Sequence, residues 1–172
     1  MSSRLRRGGA LAAAVTLTLV LAVPVLAHEH REILDGRYEI TIGFLNEPAF
    51  VGEQNGLFLQ VVDLTADDGE AAAGEDEAAE EGDHGAGEPV IGLDQTLQAE
   101  VIFGDQTMVL ELSPMGGELG SYQSVFFPTA VGDYTFRLIG ELDGNTIDES
   151  FTSAPDGFDS VQAVEALQFP QP

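Results

Sequence analysis

Between Arg37 and Ser153 apolar residues recur at every second position, in short runs separated by turn-forming residues. A period of two puts alternate side chains on opposite faces of an extended chain, so each run reads as a half-buried strand. Tyr38, Ile40, Ile42 and Phe44 form the first set, and Asn46-Glu47-Pro48 ends it. Leu57, Leu59 and Val61 follow, interleaved with Phe58, Gln60 and Val62, so this strand has apolar residues on both faces. Leu97, Ala99, Val101 and Phe103 turn at Gly104-Asp105-Gln106 and return through Met108, Leu110 and Leu112, the pattern of a hairpin. Ser113 to Gly117 breaks the chain again. Tyr122, Ser124 and Phe126 then lead to a turn at Pro128 to Gly132, followed by Tyr134, Phe136 and Leu138. Asp143-Gly144 is a tight-turn pair before Ile147, Glu149 and Phe151. About seven strands at roughly ten-residue spacing predict an all-β fold: an immunoglobulin-like Greek-key β-sandwich over residues 37–153.

One residue refines that expectation. Tyr134 stands just after a turn and opens a late strand, which fits the tyrosine corner of Greek-key sandwiches. Its hydroxyl would then bond to backbone across the corner. The plainer alternative makes it one more alternating core aromatic. Beyond the last strand, Val161, Val164 and Leu167 have helical spacing after Ser160, a candidate cap. The C-terminal tail, 154–172, is therefore expected to hold one short helix at most.

The N-terminus reads as an address. Arg4, Arg6 and Arg7 precede an apolar run from Ala10 to Val23, and Val25-Leu26-Ala27 offers a small-residue cleavage site. These are the parts of a secretory signal, assigned to residues 1–27. The Arg6-Arg7 pair is followed by Gly8-Gly9, which favours the general secretory route over the twin-arginine one. An uncleaved anchor is the alternative, although the run is short for a bilayer. No second such run follows, so the mature protein is expected to be exported and soluble: periplasmic, cell-surface or secreted. Residues 28–36 would form an N-terminal arm.

The chain of 172 residues carries 30 acidic and six basic side chains, and loss of the three leader arginines takes its formal charge from −24 to −27. A surface of that sign repels phosphate backbones and anionic membranes, which excludes nucleic acid as a partner. There is no cysteine, hence no disulfide, thiolate metal site or cysteine nucleophile. With three histidines in all, catalysis is short of parts. Glu111 and Glu149 are expected to face solvent on neighbouring strands. The chain is read as a binding protein and not an enzyme.

The acids concentrate in an insert. Residues 66–88 are Asp, Glu, Ala and Gly with one histidine, His84, and no aromatic or branched aliphatic residue. Such a segment cannot bury enough surface to offset its ordering entropy, so it is expected to be a disordered loop on the sandwich. Its acids miss the register of an EF-hand loop.

Cleavage after Ala27 would make His28-Glu29-His30 the mature start. An α-amine, the amide nitrogens of Glu29 and His30, and the His30 imidazole can surround one ion in a square plane, a geometry that selects Cu(II) or Ni(II). Alternatively, His28 can chelate through its amine and ring, as in a histidine brace, with a second imidazole from His30 or His84. The candidate metal residues are thus His28, Glu29 and His30, and the candidate cofactor is Cu(II).

A cleaved signal, a histidine at the mature start and a G-x-Y-x-F strand resemble the CopC-like and YtkA-like immunoglobulin-like domains of bacterial exported proteins. Asn46 to Gly52 with Asn55-Gly56-Leu57 is similar to their first turn and second strand, and Pro128 to Phe136 to their late hairpin. The resemblance covers roughly residues 37–153. It implies a Cu(II) ligand at His28. The second histidine of CopC-like proteins, in an Asp-Gly-His turn, has no counterpart: this chain has Asp143-Gly144-Asn145 and Asp156-Gly157-Phe158. The YtkA-like branch is the better match. Two functions follow as expectations. One is an exported copper-handling domain that binds Cu(II) at its N-terminus. The other is a metal-free interaction or structural module whose edge strands contact an envelope or secreted protein.

Overall fold

The structure is a computed structural model that describes residues 28–65, 87–155 and 157–170. Ten strands run in chain order: β1 (Glu29–Ile33), β2 (Tyr38–Phe44), β3 (Leu57–Asp63), β4 (Glu88–Pro89), β5 (Leu97–Phe103), β6 (Gln106–Leu110), β7 (Ser113–Pro114), β8 (Ser121–Gln123), β9 (Thr135–Leu142) and β10 (Asn145–Thr152). They form two antiparallel sheets, one ordered β1-β2-β3-β8-β7 with β4 beside β3, the other β10-β9-β5-β6. Apart from β1 and β4, this is the immunoglobulin order, in which successive hairpins alternate between the sheets.

Alternation decides which side chains enter the space between the sheets. Ile40, Ile42, Phe44, Leu57, Leu59 and Val61 fill it from one side, and Ala99, Phe136, Leu138, Leu142 and Phe151 from the other, all fully buried. Burying a side chain of this size stabilises by about 1.5–3 kcal/mol. Phe44 sits among four aromatic neighbours: Phe126, Tyr134, Phe136 and Phe158, with centroids 5.4–6.2 Å away. The tyrosine corner is present. The Tyr134 hydroxyl donates to the Ala130 carbonyl at 3.0 Å and accepts the Ala130 N–H at 3.3 Å. At the expected tight turn, Asp143 and Gly144 have φ of 49° and 78°, the paired positive values of a type I′ hairpin turn.

Four expectations change. The strand count rises from about seven to ten because the arm adds β1, and β4 and β7 are only two residues long, too short to carry a visible alternation. The arm at 28–36 is the first edge strand, paired with β2 from Glu29↔Ile42 to Ile33↔Tyr38. Its alternation is hidden because Arg31 occupies an inward position. The tail holds a single 3₁₀ turn, Glu165–Leu167. Val161 leaves the expected helical face to bridge Gly132, and the Gln162 N–H donates to the Ala49 carbonyl at 2.8 Å. The tail therefore docks as extended chain. Finally, Glu149 lies in β10 and Glu111 just after β6, at opposite edges of one sheet and not on neighbouring strands.

Residues 1–27 and 66–86 lie outside the described residues, so the leader and nearly all of the insert, His84 included, are not placed. What is placed is where the insert begins and ends. Glu88 pairs with Asp63, so the loop leaves β3 and returns beside it.

Candidate metal centre

The β1 pairing puts His30 opposite Thr41 of β2. Period two then sets His28 and His30 on one face of the strand and Glu29, Arg31 and Ile33 on the other. Ile33 points into the core, so the two histidines occupy the outer face of the larger sheet.

Both histidine rings make polar contacts on this face. His28 Nε2 lies 3.3 Å from the Phe44 carbonyl oxygen, and its ring packs on Phe58 with centroids 4.8 Å apart. A carbonyl only accepts, so this contact puts the proton on Nε2 and the lone pair on Nδ1. His30 Nδ1 lies 3.1 Å from the Thr41 hydroxyl and 3.8 Å from a Glu39 carboxylate oxygen. Burial lowers the His28 pKa; the Phe44 carbonyl opposes that shift, and His30 adds to it. The neutral imidazole that results is the form that binds metal.

Glu29 points the other way. Its carboxylate pairs with Arg31, whose guanidinium also reaches Glu149 at 3.4 Å and the Ser150 carbonyl at 3.0 Å. The Glu29 side chain is thereby withdrawn from the histidines, leaving only its amide as a ligand. Both chelating amides, of Glu29 and His30, belong to residues held in the β1–β2 ladder. The square-planar wrap has to break that pairing, because it needs both amides deprotonated and turned towards one ion. A brace needs only the amine and two rings.

Among the described residues, no three His, Cys, Asp or Glu side chains converge as a metal-holding group. A site here depends on the free amine that cleavage after Ala27 would supply. The supporting residues Thr41, Phe44 and Phe58 have no motif of their own. Only the β1–β2 and β2–β3 registers bring them to the histidines.

Phe44 links this face to a second feature. Its N–H donates to Glu47 Oε1 at 3.1 Å, while Glu47 Oε2 is buried with no partner among the described residues. Burial pushes the Glu47 carboxyl up to about 7; the Phe44 amide opposes this and Asp159 adds to it. At the other end of β2, Arg37 joins Asp63 at 2.9 Å to Asp143 at 2.8 Å, and the Tyr38 hydroxyl donates to Asp143 at 3.0 Å. This cluster ties the larger sheet to the β9–β10 turn. Its hydrogen bonds, chiefly from Arg37, hold the Asp63 carboxyl down at about 2.

Comparison of the chain with family models, curated proteins and solved structures gives no match in any of the three.

Proposed function

We propose that this protein is an exported binding domain that holds Cu(II) at its mature N-terminus, through the α-amine and Nδ1 of His28 and the imidazole of His30. The observation that carries this reading is the placement of both rings on one strand face, with the His28 ring anchored so that its Nδ1 keeps the lone pair. The Phe44 carbonyl selects Nδ1 as the lone-pair nitrogen of His28, the one able to close a chelate ring with the amine. An all-nitrogen set of this kind suits Cu(II). The strongly acidic surface adds a general attraction for cations. The role is binding and handling of copper, without catalysis, and agrees with what the CopC-like resemblance implies for His28.

The test is intact mass of the exported protein with and without one equivalent of Cu(II), followed by EPR. The expected result is a chain starting at His28 that takes up one copper through nitrogen ligands. Retaining Ala27, or substituting His30→Ala, should abolish that spectrum. Glu29→Pro removes the amide that the square-planar wrap requires and should leave the brace intact, since proline is tolerated at the start of an edge strand. A mass starting elsewhere, or an unchanged spectrum in His30→Ala, would remove this site.

A further inference from the structure

The end strands β1, β7, β10 and β6 leave four sheet edges, and three of these carry protection against pairing with another chain. Strand β1 carries charges at three of its five positions, Glu29, Arg31 and Glu32. Strand β7 is two residues long and contains Pro114. Strand β10 carries Asp148 and Glu149, and the Arg31 side chain lies across it, bonded to the Ser150 carbonyl and 4.1 Å over the Phe151 ring. Charge, proline, brevity and cover are the usual defences of an edge. Strand β6 reads Gln-Thr-Met-Val-Leu over five residues and has none of them.

Its free hydrogen-bonding groups follow from the register. Phe103 pairs with Gln106 across a two-residue turn, and pairing runs on to Ala99↔Leu110. In such a hairpin the flanking pair is hydrogen-bonded and the pairs alternate thereafter. Gln106, Met108 and Leu110 therefore bond to β5, while the N–H and C=O groups of Thr107 and Val109 point outwards. Beside this edge the sandwich is open. Met108 closes two adjoining clefts of about 280 and 350 Å³ along the seam between β6 and the segment that continues β8. Met108, Val125 and Phe127 line them and are 47%, 53% and 58% exposed, large values for apolar side chains beside a core.

We propose that the β6 edge receives an extended segment of a partner protein in which apolar and basic residues alternate. The main chain would add a fifth strand beside β6, and the apolar side chains would enter the two clefts. Charge selects the partner. Asp105 and Glu111 flank the edge. Arg31, Arg37 and Arg137, the arginines among the described residues, are each already paired with two carboxylates. A second copy of this chain would bring a like charge near −27 against the first. The acidic insert has no aromatic or branched aliphatic residue with which to fill the clefts. This inference is independent of copper binding.

The experiment titrates the purified protein with a fluorescent decapeptide of alternating valine and lysine, read by anisotropy and by amide exchange. Saturable binding that slows exchange at Thr107 and Val109 is the expected result. Val109→Pro removes an outward donor without touching the β5 pairing, and Met108→Glu blocks the seam. Each should weaken binding by about tenfold or more while leaving the far-UV spectrum unchanged. An alternating valine–glutamate peptide should not bind. Equal binding to Val109→Pro would overturn the proposal, as would protection appearing at β1 or β10 instead. So would self-association through β6 that the peptide cannot displace.

Discussion

The two long seams of this sandwich are finished differently. At the β1–β10 seam a single guanidinium spans the sheets: Arg31 leaves β1, covers Phe151 and satisfies both a carboxylate and a main-chain carbonyl of β10. At the β6–β8 seam no charged side chain crosses among the described residues, and Met108, Val125 and Phe127 stay half open to solvent. The difference teaches what a charge can do at a sheet edge. An inward arginine would cost several kcal/mol if buried alone, but at a rim its stem packs while its head finds partners. It seals the rim and occupies an edge carbonyl. The seam without it keeps both its apolar surface and its free backbone groups, and so remains competent to bind.

Mutations can break or sharpen that contrast. The largest effect should come from Phe44→Ala, which removes the ring packed between the aromatics near the open seam and those of the interior. Urea denaturation should show a loss of about 3–5 kcal/mol. A loss near 1 kcal/mol would mean that the surrounding rings collapse into the space. Next, Arg31→Ala should cost about 1–2 kcal/mol, since it frees two carboxylates and one carbonyl at a partly solvated site. Amide exchange should quicken in β1 and β10 and stay unchanged in β6. Uniform quickening would show that the seams are not independent. Tyr134→Phe removes the corner hydroxyl next to the open seam and should cost about 1 kcal/mol, measured by thermal melting.

A smaller effect is expected from pH. The Glu47 carboxyl titrates at about 7 in the folded protein and at 4.5 without burial. The native state thus holds the proton more tightly than the unfolded chain does. That contribution to stability is complete below about 4.5 and is lost as the pH rises through 7. Glu47→Gln should flatten the melting temperature across this window, and an unchanged slope would assign the dependence elsewhere. Last, Val109→Thr should move stability by no more than about 0.5 kcal/mol, because it alters only the exposed face of an edge strand. A larger loss would mean that the open seam contributes to folding and is not held in reserve for a partner.

Much of this was legible from spacing. The alternation in Tyr38 to Phe44, Leu57 to Val62 and Leu97 to Phe103 gave three strands close to their observed bounds. Gly132-Asp133-Tyr134 announced the corner, and Asp143-Gly144 the hairpin. Strand β1 escaped notice because polarity at position 31 conceals an inward residue whose guanidinium is paired by Glu29 and by β10. The helical spacing of Val161, Val164 and Leu167 misled because local periodicity competes with docking onto Ala49 and Gly132. The histidine pair was visible at the expected cleavage site. Thr41, Phe44 and Phe58 were not, since they come to it only through strand register.

By itself the sequence determined what each short segment can be, because a period of two and the conformation of a turn are properties of neighbouring residues. It also determined the net charge of the chain. Only the tertiary structure decided which strands meet, which groups the His28 and His30 rings contact, and which edge among the described residues is left without cover. Those depend on residues far apart in the chain, such as Arg31 and Phe151, which touch, or Met108 and Phe127, which line one cleft, and which come together only after the two sheets have packed.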